Sequence, residues 1–326
     1  MGWLRRIFFL SGMLFVVFGV GLRLVDRFYY GPGALPVSRD IVIPAGGVAR
    51  IAATLRRRGV IRRPVLFELA AWVTRGEGSL HAGEFRFISH GSMRSVLETL
   101  RDGRPVEHQI MIPPGVTATQ IAAIINDAPA ARGRVVAPPE GSVLPQTYDY
   151  LYGTERSVIL LRMQRAMNRA LAFAWANRAP NLPLGDKRQA LILASIVQLE
   201  TPRLADLPKI AGVYENRLVN GMKLQADPTV IFAVTGGTST ALTHRVDSRD
   251  LAVKSPYNTY LHVGLPPGPI SAPGLAAIHA VLHPARTDAL YFVATPNGGD
   301  AFTRNFAHQR ANVARYWRRK EAGAKP

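Results

Sequence analysis

The sequence predicts an α+β protein: an N-terminal transmembrane helix, a small α+β module behind it, and a larger α+β domain filling the second half. Three observations predict it. Residues 7–22 carry no charge and are almost wholly apolar, and Arg5 and Arg6 precede them. From Asp40 to Ile125, short β-rich runs alternate with apolar residues at helical spacing. Beyond Glu140 the helical patterns lengthen, and a hairpin signal comes only near the end. The predicted boundaries are residues 1–30 for a cytoplasmic stub and anchor, 37–130 for the module and 138–326 for the larger domain.

Extended to Val25, the apolar run has about 19 residues, close to the roughly 20 that cross a bilayer as a helix. Positive charge ahead of a first span holds the N-terminus in the cytoplasm and exports the remainder of the chain. Arg23 and Arg27 lie on the far side, where long side chains snorkel. A cleaved signal peptide would need a small-x-small site, but Leu22 is followed by Arg-Leu-Val-Asp-Arg-Phe-Tyr-Tyr. The run therefore reads as a retained anchor. Tyr29 and Tyr30 suit an interfacial aromatic belt, and Gly31-Pro32-Gly33 with Pro36 suits a linker.

Composition narrows the function. The apolar fraction is 48% and the charged fraction 19% over 326 residues, which excludes disorder. There is no cysteine, so disulfides, thiolate metal sites and a cysteine nucleophile are excluded. The net charge of +18 favours polyanionic partners. The densest positive runs are Arg56-Arg57-Arg58 with Arg62-Arg63, and Arg318-Arg319-Lys320. No aromatic residues interleave them as in base-stacking surfaces, so nucleic acid is set aside.

In the module, Asp40 to Ile43 reads as a strand stopped by Pro44. Val48, Ile51, Ala52 and Leu55 recur at helical spacing up to Gly59, and a second helix follows Pro64 through Val65, Leu69 and Trp72. Glu84 to Ile88 reads as a strand, Met93 to Leu100 as a helix, Val106 to Ile112 as a strand and Thr117 to Ile125 as a helix. The strand-helix-helix-strand order resembles the LysM fold, a glycan-binding module. In the larger domain, Ser157 to Ala176, Lys187 to Leu199 and Pro208 to Asn220 read as helices, the second strongly apolar. Leu290 to Ala294 and Ala301 to Arg304 read as a hairpin, and a basic helix closes the chain.

Glu200 is the most unusual carboxylate. It ends the apolar run Leu-Ile-Leu-Ala-Ser-Ile-Val-Gln-Leu, and Pro202 stops the helix at Thr201. A carboxyl there faces the negative end of the helix dipole, and partial burial adds desolvation. Both disfavour its charged form and raise its pKa. A glycosidic oxygen leaves poorly unless protonated, so an acid that keeps its proton near neutral pH suits glycoside cleavage. A solvated helix-end glutamate is the competing reading at this point. Two polar segments accompany it: Met222 to Thr229, and Ser255 to Tyr260 followed by Gly264 to Ile270. Dense Tyr, Asn, Gln and Thr among prolines supply the neutral hydrogen bonds and ring faces that sugars need; ordinary turn chemistry is the alternative. His279 and His283 share a helix face, but Ala280 stands where a zinc-protease motif has glutamate. Gly237-Thr238-Ser239-Thr240-Ala241 nearly matches a serine-hydrolase elbow, with Ala241 replacing the last glycine.

These segments carry a resemblance to the endolytic murein transglycosylases of the YceG-like family. Gly83-Glu84-Phe85-Arg86-Phe87 is similar to the family's G-x-Y-x-F strand. Glu140-Gly141-Ser142-Val143-Leu144-Pro145-Gln146-Thr147-Tyr148 resembles E-G-x-L-x-P-D-T-Y, and Ala194-Ser195-Ile196-Val197-Gln198-Leu199-Glu200-Thr201 resembles A-S-I-V-E-K-E-T. Val213 to Leu218, Leu224 to Ile231, Tyr257 to Tyr260 and Gly264 to Ile270 follow the family in order. Three positions depart from it: Gln198 replaces the first glutamate of A-S-I-V-E-K-E-T, Gln146 an aspartate, and Pro114 a glutamate.

The resemblance implies a single-pass inner-membrane enzyme with its bulk in the periplasm and a LysM-like region ahead of a YceG-like catalytic domain. Glu200 becomes the catalytic acid. Gln225, Tyr257, Asn258, Tyr214, Asn216 and Asp227 become the expected substrate-binding residues, Asp227 with loop orientation as its alternative. The expected partners are peptidoglycan glycan strands, the inner membrane and peptidoglycan synthases; no metal or cofactor is expected. The implied reaction is non-hydrolytic cleavage of the MurNAc–GlcNAc β-1,4 bond to leave 1,6-anhydro ends. The rivals are a muramidase that hydrolyses the bond with Asp227 as second carboxyl, and a non-catalytic glycan-binding scaffold.

Overall fold

The computed structural model describes residue 23, residues 25–295 and residues 299–321. Residues 7–22 of the predicted anchor lie outside the described residues. Among those described, no helix is long and apolar enough to cross a membrane. The chain is mixed α and β and divides into two compact units: residues 1–108 with 150–153, and residues 109–149 with 154–326.

In the first unit, β1 (Arg39–Ile43) pairs antiparallel with β2 (Gly83–Phe87), in the register Arg39↔Phe87 to Ile43↔Gly83. The period-2 alternation puts Ile41, Ile43, Phe85 and Phe87 in the core. On the outer face, Arg86 grips the Asp40 carboxylate at 2.7 and 2.8 Å. Between the strands run α1 (Val48–Arg57) and α2 (Pro64–Val73). α1 buries Ile51, Ala52 and Leu55 and is closed by Gly59 at φ +75°, where the Val60 N–H reaches the Leu55 carbonyl at 2.9 Å. Pro64 opens α2 at a position where no amide hydrogen is needed. α3 (Met93–Asp102) starts at Ser92, whose hydroxyl accepts from the Ser95 N–H, and buries Val96, Leu97 and Leu100.

β3 (Glu107–Met111) pairs with β4 (Thr147–Leu151) as a two-stranded sheet of its own. β4 is not among the predicted elements. Its alternation buries Tyr148 and Tyr150 and exposes Thr147, Asp149 and Leu151.

The second unit is helical at its centre. α4 (Ala118–Asn126) begins with a capping box between Thr117 and Gln120. α5 (Arg156–Ala176), α6 (Lys187–Glu200), α7 (Leu207–Val219) and α10 (Leu275–Leu282) pack into one core through Met167, Leu193, Ile196, Ile210, Tyr214, Ile278 and Val281. Between α7 and α10 lie α8 (Asp227–Thr235) and the short α9 (Ser248–Leu251). α6 is buried on seven positions from Ala190 to Val197, as its nearly continuous apolar sequence requires. Truncating one of them, Leu193→Ala, costs about 2–5 kcal/mol. Ser195, buried on α6, accepts from the Ile270 N–H at 3.0 Å, and its carbonyl accepts from the Ser271 hydroxyl at 3.0 Å. The proline-rich 264–271 segment is thereby fastened to the helix that ends at Glu200. β5 (Tyr291–Ala294) and β6 (Asp300–Thr303) form the antiparallel hairpin expected there, and α11 (Phe306–Glu321) follows.

Candidate active site

α6 ends where the sequence places its stop: Thr201 is extended at φ −149°, ψ 142°, as the following Pro202 demands. Glu200 is half-buried. Its Oε1 accepts a hydrogen bond from the Tyr214 hydroxyl. Tyr214 stands on the neighbouring helix α7, only 1% exposed, its ring edge-on to Phe292 at 5.8 Å. Burial pushes the Glu200 pKa up to about 7. The negative charges of Asp227 and Asp300 push the same way; the Tyr214 hydrogen bond and the Arg217 charge oppose them. Arg217 is held off as a direct partner, since its Nε donates to the Leu290 carbonyl at 2.7 Å and its Nη1 to the Leu224 carbonyl at 2.5 Å.

A raised pKa alone does not single out Glu200. Burial pushes Glu140 to about 7 and Glu215 to about 8. Glu215, however, is 6% exposed with its Oε1 unpartnered. Glu140 spends Oε1 on the Ala118 N–H at 2.9 Å, and its Oε2 is sealed without a partner. Of the three, Glu200 joins an elevated pKa to a positioning hydrogen bond from a tyrosine and to the field of a second exposed carboxylate.

That carboxylate is Asp227, the exposed first residue of α8, which accepts from the Tyr260 hydroxyl at 2.6 Å. Burial and this bond both raise the Tyr260 phenol. The two loops that carry Asp227 and Tyr260 are stitched together. The Gln225 N–H donates to the Thr259 carbonyl at 3.1 Å, the Ala226 N–H to the Thr259 hydroxyl at 3.0 Å, and the Thr229 and Thr259 hydroxyls meet at 2.8 Å. Gln225 occupies the left-handed region at φ +49°. Leu224 and Ala226 on either side are buried while Gln225 itself is exposed, so local backbone strain displays this amide.

The other expected binding residues sit differently. Asn258 is fully buried; its amide donates to the Leu251 and Val253 carbonyls at 3.0 and 2.9 Å, and its oxygen accepts from the Tyr260 N–H at 3.0 Å. That geometry braces the loop and leaves nothing for a sugar. Asn216 donates to the Thr287 and Ala289 carbonyls at 2.8 and 3.0 Å, pinning α7 to the chain ahead of β5. Tyr257 is half-buried with its ring 4.8 Å from Phe232. A side chain at Gly268 would come within 2.9 Å of the Tyr257 hydroxyl, so one there would displace that hydroxyl. Tyr260 and Arg217 lie within the motif segments named from the sequence but are not among the expected site residues.

His279 and His283 stack on each other at 4.5 Å. His244, Asp247 and Asp250 are the one group of described residues within reach of a common cation, but both aspartates are engaged in the capping box of α9.

Comparison with known proteins bears on the family of the chain. The YceG-like family matches residues 41–315. A Bacillus subtilis protein named endolytic murein transglycosylase is 30% identical over 90% of this chain and 91% of its own length. A Streptococcus pneumoniae protein of the same name is 28% identical over 81% of this chain, which spans 55% of that longer protein. The crystal structure of a YceG-like protein from Listeria monocytogenes superposes with a TM-score of 0.53 at 26% identity, covering 84% of this chain and 98% of that one. The fold, the ordered motifs and the extent of these matches establish that the chain belongs to the YceG-like family.

Proposed function

We propose that this protein is an endolytic lytic transglycosylase of peptidoglycan, with Glu200 as its single acid and base. The observation that carries the reading is the Glu200 carboxyl itself, held by Tyr214, half-buried, and poised at about 7. The names borne by the Bacillus and Streptococcus relatives support the substrate.

In the proposed reaction, Glu200 gives its proton to the oxygen leaving between N-acetylmuramic acid and N-acetylglucosamine. The glycosidic bond breaks through an oxocarbenium-like state. The Glu200 carboxylate then takes the proton of the muramic acid 6-hydroxyl, and that oxygen bonds to the anomeric carbon. The enzyme regains its proton, and the strand ends in a 1,6-anhydro ring. Because the nucleophile belongs to the substrate, one carboxyl serves both steps. Asp227 raises the proton affinity of Glu200 and supplies negative charge near the developing cation, with Tyr260 fixing its direction. Gln225 and Tyr257 are the proposed sugar contacts; Asn258 braces the loop that carries Tyr257, and Asn216 pins α7 to the chain ahead of β5.

The same reading places the protein in the inner membrane, anchored by residues 7–25, with residues 37–130 as a LysM-like glycan-binding module and synthases as partners. The test is to incubate the full chain in detergent with uncrosslinked glycan and weigh the products. Anhydro ends, lighter than reducing ends by one water and absent with Glu200→Gln, are expected. Reducing ends would transfer the assignment to a hydrolase using Asp227, and intact strands from wild type would leave a binding scaffold.

A further inference from the structure

Helix α2 in the first unit has an unusual surface. Its sequence, Pro-Val-Leu-Phe-Glu-Leu-Ala-Ala-Trp-Val, is apolar nearly all round, which belongs to a helix enclosed on every side. Yet only Phe67 and Ala71 are buried. Val65, Leu69, Trp72 and Val73, at i, i+4, i+7 and i+8, form one stripe with exposures of 71, 54, 63 and 63%. Such a continuous exposed patch on a folded unit marks a surface that meets something apolar.

The residues around the stripe identify the partner. From Arg56 to Gly76 the chain has six arginines against one acid, Glu68. Arg62 and Arg63 precede the helix, and Arg75 lies over the Trp72 ring at 4.7 Å. An apolar helical face ending in tryptophan and rimmed by arginines matches the interface of an anionic bilayer, where acyl chains meet phosphate headgroups. The position agrees. Arg63 lies over the Phe28 ring at 4.9 Å, and Arg27, Phe28, Arg62, Arg63 and Leu66 line one groove of about 670 Å³. The start of α2 therefore touches the residues just after the uncharged run at 7–22.

We infer that the Val65–Leu69–Trp72–Val73 face of α2, with Arg62, Arg63 and Arg75, docks on the surface of an anionic lipid bilayer. Docking there would hold the first unit flat on the membrane instead of swinging on the segment that leads into it. The inference rests on the anchored reading for the membrane, but not on Glu200 or the reaction.

The experiment uses the full chain with Trp3→Phe, Trp175→Phe and Trp317→Phe, leaving Trp72 as sole indole. It is mixed with vesicles of phosphatidylglycerol and phosphatidylcholine, or of phosphatidylcholine alone, both with brominated acyl chains. Flotation reports attachment, and Trp72 quenching reports docking. The expected result is quenching about twofold or more stronger in the anionic vesicles, reduced by high salt, by Arg62→Glu/Arg63→Glu and by Leu69→Glu, with flotation retained. Flotation with Trp72 unquenched would overturn docking while leaving the anchor intact, including the case in which a protein partner covers this face. Loss of both would overturn docking and anchor together.

Discussion

The hydroxyl of Tyr214 on α7 donates to the Oε1 of Glu200 at the last turn of α6, so a residue 14 positions further along the chain fixes the direction of the candidate acid. Because Tyr214 is sealed in the core and packed on Phe292, it cannot follow a wandering carboxylate. Tyr214→Phe keeps the packing and removes only the bond. The expected outcome is a fall in kcat of about tenfold with little change in KM, since a hydrogen bond to a carboxyl is worth on the order of 1.4 kcal/mol. This bond favours the charged form of Glu200, so its loss raises the Glu200 pKa. A general acid works while protonated; the alkaline limb of the pH–rate profile should move to higher pH.

Asp227 acts in the opposite sense. Its negative charge raises the Glu200 pKa, so Asp227→Asn should shift the alkaline limb to lower pH. It should also cut kcat at pH 6, where the limb has little effect, by roughly tenfold or more if the carboxylate stabilises the cationic transition state. Initial rates on uncrosslinked glycan across pH separate the two effects.

Asn258 should behave as a structural residue. Asn258→Ala leaves the Leu251 and Val253 carbonyls without a donor inside the protein, at a cost of about 1–3 kcal/mol for each group left unsatisfied. Urea denaturation should show that loss. Activity measured well below the transition should be lowered through the position of Tyr260, appearing in kcat more than in KM.

Three carboxyls whose proton affinity is raised by desolvation give stability a defined pH dependence. Glu140 and Glu200 are raised to about 7 and Glu215 to about 8, from 4.5. Each binds its proton more tightly folded than unfolded. Their stabilisation is therefore complete below about pH 4.5 and is lost as pH rises through 7 and 8. The urea midpoint should be lower at pH 8.5 than at pH 6, by the equivalent of a few kcal/mol. Glu215→Gln should flatten part of that slope.

The elements with strong periodicity were legible in the sequence. α1, α5, α6 and α7 begin and end within a residue or two of their apolar patterns, and Gly59, Pro202 and Gly221 punctuate the ends of α1, α6 and α7 locally. β4 was hidden because its alternating tyrosines follow directly on a proline-rich turn motif. The family resemblance placed Asn258 and Asn216 among the expected sugar contacts; the structure spends both amides on carbonyls up to 73 positions away. Nor does any local pattern bring Tyr214 to Glu200 or Tyr260 to Asp227, since both pairs form only once separate helices and loops have packed.

The most direct test of the whole account is the ionisation of one side chain. Infrared difference spectra of the full chain, wild type minus Glu200→Gln, isolate the Glu200 carboxyl stretch as pH is varied. The protonated band should persist at pH 6 and titrate away near 7. A carboxylate already fully ionised at pH 6, titrating near the ordinary 4.5, would contradict the account.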